Sequence, residues 1–268
     1  MASRPFKRAI ALLATASITP AANAFFPFVT DDTGTQGQGG SQIEVVYEFT
    51  KAHNDELDLE GRVIGTSSGV SNGFPATYTY GITDNFDVFL GVARQTSPVN
   101  GWMNTEIGTK WVFLGSPSTG WSAAIKPIVI LPVTTSMQDQ GLGNAKTNAG
   151  LTLISSYISG ANELHLNIGY QSNLYADTDS SEAQRKSLWR VSAAPVYVIN
   201  DQWKTGIDLG LETNPAYSSN YQAFGEIGIQ YAPAENLQIG LGVIGVKALN
   251  STDNSWSFAV TSGVSYQF

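Results

Sequence analysis

From about residue 42 to Phe268, apolar and polar side chains alternate one by one along the chain. A period of two marks β-strands with one covered face. Turn residues interrupt the alternation and divide it into twelve predicted strands: 42–52, 72–82, 86–96, 104–114, 121–133, 146–157, 163–173, 187–199, 203–213, 220–231, 237–248 and 256–268. Apolar residues nowhere in this region recur at helical spacing.

The predicted connections alternate in length. Short turns fall at 83–85, 115–120, 159–162, 200–202 and 232–236. Longer links fall at 53–71, 134–145 and 174–186, with briefer ones near 97–103, 214–219 and 249–255. An even strand count with short turns at one end and longer loops at the other is the plan of an all-β, transmembrane antiparallel up-and-down β-barrel. It places both termini and the short turns in the periplasm. Pro127 and Pro195 fall inside predicted strands, where each removes a ladder donor, so a bulge or a register slip is expected at both.

A soluble sandwich would show the same alternation, and the distribution of charge separates the two. One register is apolar throughout, for example Ile43, Val45, Tyr47 and Phe49, or Ile107, Trp111 and Phe113, or Leu237, Ile239, Leu241 and Val243. Its only charges, Lys51, Arg94 and Lys247, sit at the predicted outer strand ends. A cation at the bilayer midplane costs about 2–4 kcal/mol, so a charge-free middle is what lipid requires. The opposite register collects Glu44, Glu48, Asp87, Glu106, Lys110, Lys126, Glu163, His165, Asn167, Arg190, Lys204, Asp208, Glu212 and Glu226, which a barrel turns to its lumen. Aromatic residues of the apolar register cluster at two levels. Tyr80, Trp111, Trp121, Tyr157, Trp203 and Tyr266 lie toward the periplasmic ends, and Phe49, Phe74, Tyr170, Trp189 and Trp256 toward the outer ends. Such rings favour the membrane–water interface.

The first residues read as an export signal over 1–24. Arg4, Lys7 and Arg8 precede the short apolar run 9–18, and Ala22-Asn23-Ala24 supplies a cleavage site. A polar segment, 25–41, then leads into the barrel, 42–268. The signal holds three of the 14 basic residues and none of the 22 acidic ones. The remainder therefore carries 11 against 22, a balance that excludes nucleic acid as a partner. The chain has no cysteine, which removes disulfide and thiolate chemistry. Only 13% of residues are charged, against about 25% in soluble domains, so something other than water covers much of the surface. No apolar run after the signal reaches the ~18 residues of a helical span.

Thr30, Asp31, Asp32, Thr33 and Gln36 precede the first strand. They either fold into the lumen as a plug or form a periplasmic tail with local side-chain turns. The inward charges either form a selectivity surface for solutes or pair with one another across a narrow lumen. Glu163, His165 and Asn167 share one face. With two histidines in the chain and no nucleophile motif they read as lumen lining rather than an acid/base pair. Neither a metal-ligand cluster nor a phosphate-binding loop is present in the sequence, so no cofactor is expected.

The segment Pro27-Phe28-Val29-Thr30-Asp31-Asp32-Thr33-Gly34-Thr35-Gln36-Gly37, followed by Gln42-Ile43-Glu44, resembles the opening of the outer-membrane family named for the meta-pathway of phenol degradation. Weaker echoes are Tyr80-Gly81-Ile82-Thr83-Asp84, Glu106-Ile107-Gly108-Thr109-Lys110-Trp111, Lys126-Pro127 with Leu131-Pro132, and Leu166-Asn167-Ile168-Gly169-Tyr170. Val133 and Thr134 follow the Leu-Pro pair, where many relatives continue with glycine. The resemblance implies a barrel that passes small molecules, often beside aromatic-degradation genes. The expectation is thus an outer-membrane channel, not an enzyme, for small and hydrophobic or aromatic solutes. Its partners are outer-membrane lipid, the solute, and the barrel-insertion machinery acting on the strand that ends at Phe268. The competing expectations are a barrel enzyme acting on lipid or glycan, and a closed structural or adhesive barrel working through loops 53–71 and 134–145.

Overall fold

The computed structural model describes residues 26–57, 62–176, 181–182, 184–217, 219–249 and 254–268; the expected signal, 1–24, lies outside them. Twelve strands form the wall. They are β1 (Ser41–Leu57), β2 (Val63–Thr83), β3 (Phe86–Ser97), β4 (Glu106–Ser116), β5 (Thr119–Ile130), β6 (Asn148–Ser159), β7 (Asn162–Ser172), β8 (Ser187–Asn200), β9 (Trp203–Thr213), β10 (Tyr221–Ala234), β11 (Leu237–Ala248) and β12 (Trp256–Gln267). Each pairs antiparallel with its sequence neighbours, and β12 pairs with β1 from Gln42↔Gln267 to His53↔Trp256. Ser41 and Phe268 complete the seam with two backbone hydrogen bonds of 3.0 and 2.9 Å. Closure leaves no unpaired sheet edge, the condition a sheet must meet inside hydrocarbon.

The alternation sorts side chains between the two faces as the charge pattern predicted. Neighbours on one strand show it: Ile227 is 66% exposed and Glu226 2%, Ile168 52% and Asn167 6%. The exposed register is the apolar one, which gives the wall an apolar outer surface. Aromatic pairs lie on it at both levels. Trp121–Tyr157 (4.9 Å between centroids) and Trp203–Tyr231 (4.4 Å) are at the turn end. Tyr170–Trp189 (4.8 Å) and Tyr47–Phe74 (5.3 Å) are at the loop end.

Three expectations need correction. The link expected over 53–71 is largely strand, because β1 continues to Leu57 and β2 begins at Val63. This projecting hairpin carries Ser, Thr, Gly, Asn and Asp on both faces, so it has no apolar stripe to betray it. The link 134–145 contains a short helix, α1 (Thr135–Asp139), whose Thr134 side chain caps the Met137 N–H.

The third correction concerns the prolines, neither of which causes a bulge. Pro127 keeps register with Leu151 of β6, and Pro195 with Leu164 of β7. On the opposite side of each strand the ladder lapses for two residues. It runs from Trp111↔Ile125 to Gly108↔Ile128, and from Gly206↔Val196 to Leu209↔Ala193, resuming in the same register. The missing N–H therefore costs one ladder contact and leaves the strand in line. Bulges occur instead near the turns, for example between Gly81 and Thr83 and between Tyr231 and Ala234.

Candidate functional site: the barrel interior

The N-terminal segment runs inside the barrel and touches most of its wall. Its first residues lie against β8–β12, where inward positions are small. A Cβ at Gly240 would stand 2.4 Å from the Phe26 ring, and one at Gly206 or Gly228 within 3.0 Å of Phe28. Phe28, 2% exposed, packs with Ala194 and Val196 in one buried cluster. Gln230 donates its amide to the Phe26 carbonyl. The glycines make the room that two phenylalanine rings fill.

The chain then turns polar and crosses to the other wall. Thr30 donates its backbone N–H and its hydroxyl to the Asp208 carboxylate (both 2.6 Å), and the hydroxyl also reaches Ser192 (2.6 Å). Asp31 is held between Lys126 (2.6 Å, β5) and Lys110 (3.0 Å, β4), all three side chains at most 5% exposed. Asn167 brackets the Asp31 backbone. In the amide orientation its surroundings select, it accepts from Asp31 N (2.6 Å) and donates to Asp31 O (3.0 Å). Burial alone would raise the Asp31 carboxyl, but the Lys110 and Lys126 ammonium groups hold it below its ordinary value. Asp32 closes a local turn on Gly34 N (2.8 Å) and lies 3.7 Å from Lys110. Thr33 bonds Ser156 and Ser122, and Gln36 N donates to Asp87 and its side chain to Gln42. A glycine turn finally docks on β2, with Gly39 N donating to Gly81 O and Gly81 N to Gly40 O (both 2.9 Å).

The wall charges named from the sequence separate into local groups. Glu163 meets Lys204 (2.8 Å) and His165 (3.4 Å), and Glu212 meets Arg190 (2.7 Å) and Gln222 (2.6 Å). Glu48 accepts from Thr50 (2.9 Å). Glu44 and Glu226 each keep one buried oxygen without a partner among the described residues. Glu106 is buried at the outer start of β4. Counting Asp31, Asp32 and Asp87, ten named carboxylates face four cations, Lys110, Lys126, Arg190 and Lys204. The interior is formally anionic.

Ser156, His165 and Glu163 line up as hydroxyl, imidazole and carboxylate, with Ser156 Oγ 2.8 Å from His165 Nδ1. Ser156 is fully buried and its hydroxyl accepts from Thr33 N (3.1 Å). The row therefore fastens the segment and offers no reachable nucleophile. No three His, Cys, Asp or Glu side chains converge as metal ligands among the described residues.

No protein-family model matches the sequence, and no curated protein does. Solved structures do match in fold. An outer-membrane channel from Pseudomonas putida F1 superposes with TM-score 0.70 at 12% identity, over 88% of this chain and 98% of that one. The NanC porin gives 0.56 at 10% identity, over 82% and 98%. A deletion mutant of the TodX monoaromatic hydrocarbon channel gives 0.50 at 10%, over 88% and 92%. At these identities the likeness establishes the barrel fold.

At the loop end, side-chain amides stitch the connections together. Asn104 bonds Leu131 O and Asn144, Asn144 bonds Asn173, and Gln138 accepts from Ala145 and Ala176. Arg185 donates to the carbonyls of Asn214, Ala216 and Ser219. Neither these contacts nor Ser122, Ser156, Ser192 and Thr261 in the lumen leave a signal in the sequence, since isolated hydroxyls and amides carry no pattern. Phe26 and Phe28 were visible only as apolar residues in a polar stretch.

Proposed function

We propose that this chain is an outer-membrane channel for passive passage of small solutes, with residues 26–40 as its internal constriction. The observation that carries the reading is a closed wall, apolar outside and anionic inside, whose lumen is crossed by the chain's own N-terminal segment. A barrel that served only as an anchor would need no polar lumen. The fold shared with outer-membrane channels and porins supports the reading. The resemblance of the opening segment to the phenol meta-pathway family points further, to hydrophobic or aromatic solutes. In this reading the inward charges from Glu44 to Glu226 line the solute path, outer-membrane lipid covers the apolar face, and the strand ending at Phe268 is the insertion signal.

The test is flux. Folded protein in liposomes should admit small aromatic alcohols faster than empty liposomes do. Equal rates in the two, with the barrel shown to be folded by its heat-modifiable gel mobility, would refute it.

A further inference from the structure

On the β10–β12 side, just beyond the level filled by Phe26 and Pro27, three side chains converge on Gly242. A Cβ at Gly242 would lie 2.4 Å from Glu226 Oε1, 2.8 Å from Thr261 Oγ1 and 3.0 Å from Pro27 Cβ. Glu226 is 2% exposed, and both its Oε2 and Thr261 Oγ1 are buried with no hydrogen-bond partner among the described residues. Thr261 pairs in the ladder with Glu48 on β1, another inward-facing carboxylate. In the ladder Glu226 stands between Asp208, whose carboxylate accepts from Thr30, and Ile244, which pairs with Ala259. Ile244 and Ala259 form a buried cluster with Phe224, against which Val29 packs.

Unpaired acceptors in a dry site are costly, and a bound donor that satisfies them is favoured by the same amount. The charge excess calls for a cation. A calcium or magnesium ion takes six or more oxygen ligands, and two carboxylates with one hydroxyl fall short of that. An ammonium group carries three N–H donors, matching Glu226, Thr261 and Glu48 one for one. The apolar cluster on the loop-end side then receives a hydrocarbon or aromatic substituent, while Pro27 forms the floor.

We propose that Glu226, Thr261 and Glu48 bind the ammonium group of a primary amine whose apolar substituent packs on Phe224, Ile244 and Ala259. This names a solute class for the interior and rests on the channel reading.

The test uses the full chain, folded in detergent, titrated calorimetrically with benzylammonium and with benzyl alcohol. Because the contacts are charge-assisted, the wild type should bind benzylammonium about tenfold more tightly than the alcohol. Glu226→Gln and Thr261→Val should each reduce that preference severalfold. Thr261→Val keeps the shape and decides the matter if Glu226→Gln does not fold. Equal affinity for the two probes, or a preference unchanged in the folded variants, overturns the proposal. Benzyl alcohol flux in liposomes separates the two readings. Flux without the preference removes the amine site alone, and the preference without flux removes the channel while leaving the site.

Discussion

The two sides of the lumen hold the N-terminal segment by different physics. Against β8–β12 the contact is shape: phenylalanine rings sit where inward glycines leave space, as Phe26 does on Gly240. Against β4 and β5 it is charge: the Asp31 carboxylate bridges the buried ammonium groups of Lys110 and Lys126. Packing of the first kind depends on volume and is indifferent to charge. A desolvated ion pair behaves otherwise, because losing one partner strands the other in a site that water does not reach. The segment is thus a rigid apolar anchor continued by an electrostatic latch.

The latch should show the largest single-site effect. Asp31→Asn removes the carboxylate that bridges Lys110 and Lys126 in a buried site, at a cost of about 3–5 kcal/mol. Hydrogen exchange at the Thr30 and Thr33 amides should speed up to match. Adding Lys110→Met and Lys126→Met to Asp31→Asn should restore part of the protection, because the two buried cations are then gone. A triple variant as labile as the single one would show that the carboxylate acts through geometry and not charge.

The anchor should respond next. Gly240→Ala places a methyl group into the Phe26 ring, an overpacking that costs about 1–3 kcal/mol. Exchange of the same amides should report a smaller loss than in Asp31→Asn, and Phe26→Ala in the Gly240→Ala background should recover part of it. Failure of that recovery would mean that the glycine serves the strand rather than the ring.

Acid should leave the latch intact over a wide range. Asp31 titrates below its ordinary value, so its contribution is fully present above the unfolded carboxylate pKa of about 3.9. It is lost only as pH falls through the lower folded value. The carboxyl-carbon NMR shift of Asp31 itself should therefore be that of the ionised form at both pH 7 and pH 5. Protonation of Asp31 across that interval would contradict the depressed titration.

The smallest effect belongs to the rim. Lys204 is 37% exposed in its contact with Glu163, and Lys204→Ala should cost about 0–1 kcal/mol in thermal stability.

These two modes of attachment also explain what the sequence could convey. The wall was legible because a closed barrel sorts every second residue to the opposite face, so Ile227 and Glu226 declare their faces without any structure. The list of lumen charges came from the same rule. Pairing among them was not legible, since Asp31 reaches Lys110 and Lys126 only through the path of an irregular coil. Gly206, Gly228 and Gly240 read as ordinary small residues in strands, and only the position of Phe26 and Phe28 gives them a purpose. The extended β1–β2 hairpin was illegible for the converse reason: polar and small residues fall on both of its faces, so no sustained alternation marks it.

In the channel proposed above, this segment sets the bore. Single-channel conductance of the whole chain, compared with a chain lacking residues 26–36, tests it most directly. With the wall folded in both, the shortened chain should conduct severalfold more. Equal conductance would mean that the segment crossing the lumen is not what limits passage through it.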